Sequence, residues 1–179
     1  YVTQVCGTNP GDTSIASGSV SFTTACGVFA FPFLDNLEAN SPSLSCWTQN
    51  GVGAGWAVST ARSNSGTQSF ERGFASGAQR DTLFSPSVDL STAINPELSF
   101  FENGDFVADA DTHRVLISSD GGSTWDLLYD DLPAEDVWNE VVIDVSAYAG
   151  QTIIVGFYYE GDFADDWYID DFELREALQ

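Results

Sequence analysis

The sequence predicts an all-β fold, a sandwich or barrel of antiparallel strands. Three observations point there. Short runs rich in Val, Ile, Phe, Tyr, Trp and Thr recur at intervals of about 10–15 residues, broken by Gly, Asn, Asp and Pro. No segment keeps a helical period over three turns. Hydrophobic residues make up 43% and aromatics 13% of a 179-residue chain, enough for a packed core and against intrinsic disorder.

Strands are expected near 55–61, 67–74, 80–85, 97–103, 112–119, 124–130, 138–145, 151–159 and 167–174. Within 152–159, Ile153, Val155, Phe157 and Tyr159 share one face, and Ile154, Gly156 and Tyr158 share the other. Apolar residues on both faces mark a central strand. Residues 146–150 fit a single helical turn. The first 25 residues differ: 1–6 and 19–24 are two strand-like pieces around a small-residue loop. They resemble the last two strands of a fibronectin type III domain. Two strands alone are marginal in water, so they must pack on the body, pair with another chain, or be the remnant of a further domain. A boundary near Cys26 divides the chain into a short piece, 1–25, and a main body, 26–179. The chain begins at Tyr1 and has no Met, which predicts a processed chain or a piece of a longer one.

Charge narrows the partners. Asp and Glu total 27 against five Arg and no Lys, for a net charge of −22. Such a surface repels phosphate backbones and anionic lipids, which argues against nucleic acid and acidic membranes. It favours cations, calcium first. No apolar run approaches the ~20 residues of a membrane span. Extreme acidity without Lys fits an exported protein that meets salt and calcium. The cysteines are Cys6, Cys26 and Cys46, none in a CxxC pair, and His113 is the one histidine. A zinc site of usual spacing is not supported. The remaining readings are buried thiols, or one disulfide with a leftover. An exported chain favours the disulfide, Cys26–Cys46, with Cys6 over.

Ser118-Ser119-Asp120-Gly121-Gly122-Ser123-Thr124-Trp125 fits the Asp-box pattern S-x-D-x-G-x-T-W. It predicts a hairpin in which Asp120 bonds backbone N–H groups of the turn and Gly121 or Gly122 takes positive φ. The motif is structural and names no glycosidase. In the last strand, alternation puts Tyr168, Asp170, Phe172 and Leu174 on one face and Asp171 on the other. A core-facing carboxylate needs a cation or hydrogen bonds. Near the N-terminus of the body, Asp35 shares a face with Phe33 and Leu37. If the first and last strands lie side by side, these acids converge on one hard cation, with Asp81 as a further ligand. The alternative is that they face water on edge strands.

A second acidic cluster combines Asp105, Asp109 and Asp111 with Glu160, Asp162, Asp165 and Asp166. Phe106, Phe163 and Trp167 flank it. If the two strands that precede these loops run alongside each other, both loops emerge at one end. Asp105, Phe106, Asp162, Phe163 and Trp167 would then form a sugar platform, with carboxylates on the hydroxyls. The alternative places Trp167 in the core and the loops in water. No enzyme is expected. The sequence has no G-x-S-x-G, H-E-x-x-H, P-loop or G-x-G-x-x-G motif. His113 reads as a surface residue at a strand start.

Residues from about 30 to 175 resemble the MAM-like, cleaved-adhesin-type jelly-roll domains of secreted bacterial surface proteins. The resemblance lies in Pro32-Phe33-Leu34-Asp35-Asn36-Leu37-Glu38, Cys46-Trp47-Thr48-Gln49, Gly55-Trp56 and 85–91. It continues through the Asp box and 144–152, and closes with Trp167-Tyr168-Ile169-Asp170-Asp171-Phe172. It implies an antiparallel jelly-roll β-sandwich that binds calcium structurally and serves adhesion, protein contact or glycan binding. The implied metal residues are Asp35, Glu38, Asp81 and Asp170 or Asp171. Two departures stand out: Leu37 where Phe is frequent, and acidic 160–166 where the family is often Gly-rich. The leading expectation is a non-catalytic, extracellular adhesion or recognition module of a larger cell-surface protein. Its partner would be a protein or glycan at the cell surface. The alternatives are an accessory domain of a secreted hydrolase, or a fibre subunit that pairs strands with neighbouring subunits.

Overall fold

The computed structural model describes residues 26–53, 55–107, 111–164 and 166–178. The fibronectin-like pieces and Cys6 lie outside the described residues. The early strands are β1 (Phe29–Ala30), β2 (Phe33–Asp35), β3 (Thr48–Val52), β4 (Trp56–Ser59) and β5 (Ser69–Arg72). The middle strands are β6 (Ala75–Phe84), β7 (Val88–Asp89), β8 (Pro96–Asp105) and β9 (Thr112–Ser118). The late strands are β10 (Asp126–Asp130), β11 (Asn139–Asp144), β12 (Thr152–Ala164) and β13 (Asp166–Glu176). Single 3-10 turns span Leu44–Cys46 and Ser146–Tyr148.

The strands form two sheets, as expected of a jelly-roll β-sandwich. The larger sheet runs β10-β9-β12-β6-β3, with β7 added at the first residues of β12 and β1 parallel to β7. The smaller sheet runs β11-β8-β13-β5-β4, with β2 beside β13. The long strand β12 is central, paired with β6 on one side and β9 on the other. Its odd residues Ile153, Val155, Phe157 and Tyr159 are buried between the sheets. The Phe157 ring meets Phe100 of β8 edge-on at 5.1 Å, and lies 6.0 Å from Trp167 of β13. Burying each such side chain contributes about 1.5–3 kcal/mol.

The first and last strands of the body do meet. Asp35 pairs with Phe172 and Phe33 with Leu174. Simple alternation along β13 does not hold, however. Between Asp170 and Glu173 the strand advances three residues while β8 advances two, from Phe101 to Ser99. This is a β-bulge, and Asp171 within it has φ 48°. The extra residue moves the core face from odd to even positions. Trp167 and Ile169 are core before it, Phe172 and Leu174 after it. Tyr168 and Asp170 therefore do not share a face with Phe172, contrary to the sequence expectation.

The acidic loops after β8 and within β12 emerge at one end, but from facing sheets rather than from adjacent strands. His113 is a second correction. It is 1% exposed, because β9 pairs it with inward-facing Tyr159. Its ring sits edge-on 5.0 Å from both Tyr159 and Trp167.

Candidate functional site

A cleft of about 420 Å³ lies on the outer face of the larger sheet. Thr48 and Asn50 of β3, Phe84 of β6, Ile154 of β12 and Trp125 line it. Cys26 and Cys46 form one edge, joined by a disulfide with Cα atoms 5.5 Å apart. Trp125 is placed by the Asp box. Asp120 Oδ1 accepts the N–H groups of Ser123 and Thr124 at 2.9 Å, and Oδ2 accepts the Thr124 hydroxyl at 2.7 Å. These bonds hold the Asp120 carboxyl down at about 2. Gly121 and Gly122 carry the positive φ values of 74° and 89° that the turn requires.

The hairpin folds Trp125 onto the sheet. Its indole N–H donates to Gly122 O at 3.1 Å, which fixes the ring. The ring stacks at a tilt on Phe84, centroids 5.2 Å apart. Gly156 of β12 makes the room: a Cβ there would stand 3.2 Å from Trp125 Cζ3 and 3.3 Å from Thr82 Cγ2. A fixed, half-buried aromatic pair rimmed by hydroxyl and amide side chains suits a ligand with an apolar face and polar edges. Sequence reading took Trp125 as purely structural. Strand β3 was missed because Thr48-Gln49-Asn50-Gly51-Val52 has no apolar alternation and is exposed throughout. The available signal was a Trp directly after an Asp-box turn.

The five carboxylates expected to share a cation do not assemble. Among the described residues, no group of three or more His, Cys, Asp or Glu side chains is placed to hold a metal ion. Asp35 is turned into its own ring of donors: Leu37 N–H, the hydroxyls of Ser41 and Ser43, and the Trp47 indole, at 2.5 to 2.9 Å. Asp81 lies within β6, where Arg72 takes its Oδ2 at 2.7 Å in a buried ion pair. Glu38 accepts the Thr67 N–H and hydroxyl, both at 2.7 Å, and these bonds lower its carboxyl. Asp170 and Asp171 do stay together, both against residues 64–65. Asn64 and Ser65 give backbone N–H groups to Asp170 Oδ2, and their side chains donate to Asp171. Asp170 is fully buried, and burial together with the neighbouring Asp171 charge pushes it up to about 6.

The expected sugar platform at the loop end is also only partly assembled. Phe106 and Phe163 come together, 76% and 64% exposed, and Phe74 joins them. Trp167 does not: the shifted alternation leaves it fully buried, its indole N–H donating to Glu102 Oε2 at 3.0 Å. Asp105 pairs with Arg62 at 2.6 Å. Asp162 lines a different hollow with Arg80 and Glu160.

Glu102 lies beneath this end, 2% exposed, and accepts the Tyr129 hydroxyl at 2.9 Å. Burial raises it to about 7, against the pull of the Tyr129 and Trp167 bonds. Burial lowers His113 to about 4, with Asp111 opposing.

No protein-family model matches this chain, and no curated protein does. Solved structures do. The K2 cleaved adhesin domain of Lys-gingipain superposes with TM-score 0.62 at 16% identity, covering 79% of this chain and 98% of that one. TmCBM61, solved in complex with β-1,4-galactotriose, gives TM-score 0.59 at 18% identity, covering 80% and 99%. The C-terminal family 22 carbohydrate-binding module of Clostridium thermocellum Xyn10B gives 0.55 at 13% identity, covering 82% and 95%. At these identities the likeness shows the fold. The chain has the jelly-roll β-sandwich that adhesin domains and carbohydrate-binding modules share. Among the described residues, no helix is long and apolar enough to cross a membrane.

Proposed function

We propose that this chain is a non-catalytic, extracellular recognition module whose sheet-face cleft binds a neutral oligosaccharide. The observation that carries the reading is Trp125, locked by the Asp box over Gly156 and stacked on Phe84. Thr48 and Asn50 line the same cleft and bring a hydroxyl and an amide to it. Aromatic faces take the C–H side of a sugar ring, and the polar rim takes its hydroxyls. A net charge of −22 disfavours acidic sugars, so the ligand is neutral. The fold likeness to a module complexed with a galactotriose supports the substrate class. The adhesin likeness and the disulfide support a cell-surface setting. Isothermal titration with galacto-, xylo- and gluco-oligosaccharides tests it. Binding that disappears in Trp125→Ala is expected. A folded protein that binds none of them, nor any neutral glycan on an array, overturns the reading.

We propose further that calcium is held by the Asp170–Asp171 pair rather than by five acids. Two adjacent carboxylates, one fully buried, form a hard-oxygen pair, and a divalent ion there would take the place of the Asn64 and Ser65 side-chain donors on Asp171. Calcium bound only to the native state raises its stability, so the melting temperature should rise by several degrees between chelator and millimolar calcium. Asp170→Asn should abolish that rise. Identical melts in chelator and calcium remove the metal.

A further inference from the structure

We infer that the loop end carries a second binding site, for the ammonium group of a lysine on a protein partner. Phe74, Phe106 and Phe163 surround a cleft of about 450 Å³ with the Asp166 carboxylate in its wall. All three rings are at least 64% exposed. They come from separate strand ends, after β5, after β8 and within β12, so the fold gathers them to one place. Phe106 and Phe163 are presented with φ 58° and 62°, a conformation phenylalanine seldom adopts.

The charge around the cleft selects the ligand. Asp166 accepts the Phe74 N–H at 2.5 Å and lies close enough to Glu71 and Asp105 to feel both charges. Only Asp105 of these has an ion pair among the described residues, to Arg62. The chain has no Lys; Arg62 is spent on Asp105 and Asp136, and the other four Arg are each paired with acids elsewhere. Among the described residues Asp166 and Glu71 have no ion-pair partner, so a countercharge for them comes from outside. A metal ion is a poor fit, because three rings leave too few oxygens for calcium. A cation on an apolar stem fits both parts: its stem packs on the rings, its charge meets the ring faces and Asp166. Lysine has that form. This inference stands apart from the sheet-face cleft, and neither depends on the other.

Nuclear magnetic resonance titration of the whole chain tests it, with Nα-acetyl-lysine amide against Nα-acetyl-norleucine amide, which lacks the ammonium. Lysine should shift the Phe74, Phe106 and Phe163 amide signals, and norleucine should bind about tenfold more weakly. Asp166→Asn keeps an acceptor for the Phe74 N–H. It should weaken lysine about tenfold and leave norleucine unchanged. Phe163→Ala should weaken both. Equal affinity for the two ligands, or no shift at these residues, overturns the proposal. So does sedimentation showing that a second copy of the chain covers the cleft.

Discussion

Two aromatic surfaces of this molecule meet solvent, and they are built by opposite means. On the sheet, Trp125 is fixed through its indole N–H, stacked on Phe84 and seated over Gly156. At the loop end, Phe106 and Phe163 project from left-handed backbone, which costs about 1–3 kcal/mol per residue. The first surface is rigid, half-buried and rimmed by uncharged polar groups. The second is open and has a carboxylate in its wall. Rigidity with neutral polar edges suits a flat, uncharged ligand. Exposed rings beside uncompensated negative charge suit a flexible cation. The sequence, read for acids and aromatics, points only to the loop end and takes the Asp box with Trp125 as structural.

The largest effect that divides the surfaces is a crossed loss. Trp125→Ala should weaken oligosaccharide binding by about a hundredfold, while Phe163→Ala leaves it within about twofold. Equal losses in both variants, measured by titration calorimetry, would merge the surfaces into one site. A smaller effect isolates the seating of the indole. Gly156→Val puts a branched side chain where even a Cβ stands 3.2 Å from Trp125. The ring must lift, and sugar affinity should fall about tenfold with lysine binding untouched. Retained sugar affinity would show that the ligand does not use the seated position of Trp125.

The sequence carried most of the sandwich. The expected strands at 112–119, 138–145 and 151–159 lie on β9, β11 and β12, because each is a run of alternating or continuous apolar residues. The Asp-box hairpin was legible for the same local reason: its bonds join residues within four positions of one another. What failed depended on partners far along the chain. The bulge at Asp170–Asp171 lies in the pairing with β8, and it lets Trp167 and Ile169 before it share the core with Phe172 and Leu174 after it. Asp35 looked like a metal ligand because Ser41, Ser43 and Trp47 had no visible relation to it before folding. Phe74 escaped notice because its neighbours Phe106 and Phe163 come from other strands.

The smallest effect concerns the buried layer beneath the loop end, and its sign is unusual. Glu102 is raised from 4.5 to about 7 by burial, so between those values the native state holds a proton that the unfolded chain has lost. Its contribution therefore falls as pH rises from about 4.5 to 7. His113 is lowered from 6.5 to about 4, and between those values the unfolded chain holds the extra proton. Its contribution rises with pH across that span. Asp170, raised from 3.8 to about 6, adds a second falling slope, so His113 offsets only one of the two and wild-type stability should fall gently between about pH 4.5 and 6. Glu102→Gln removes one falling slope and keeps one acceptor for the Trp167 indole. Relative to wild type, its stability in urea should increase by about 1–3 kcal/mol from pH 4.5 to pH 8. A variant profile parallel to wild type would mean that Glu102 ionises as freely as in water. The low-dielectric layer under the exposed phenylalanines would then be wet, and the contrast between a dry interior and an open cleft at this end would go with it.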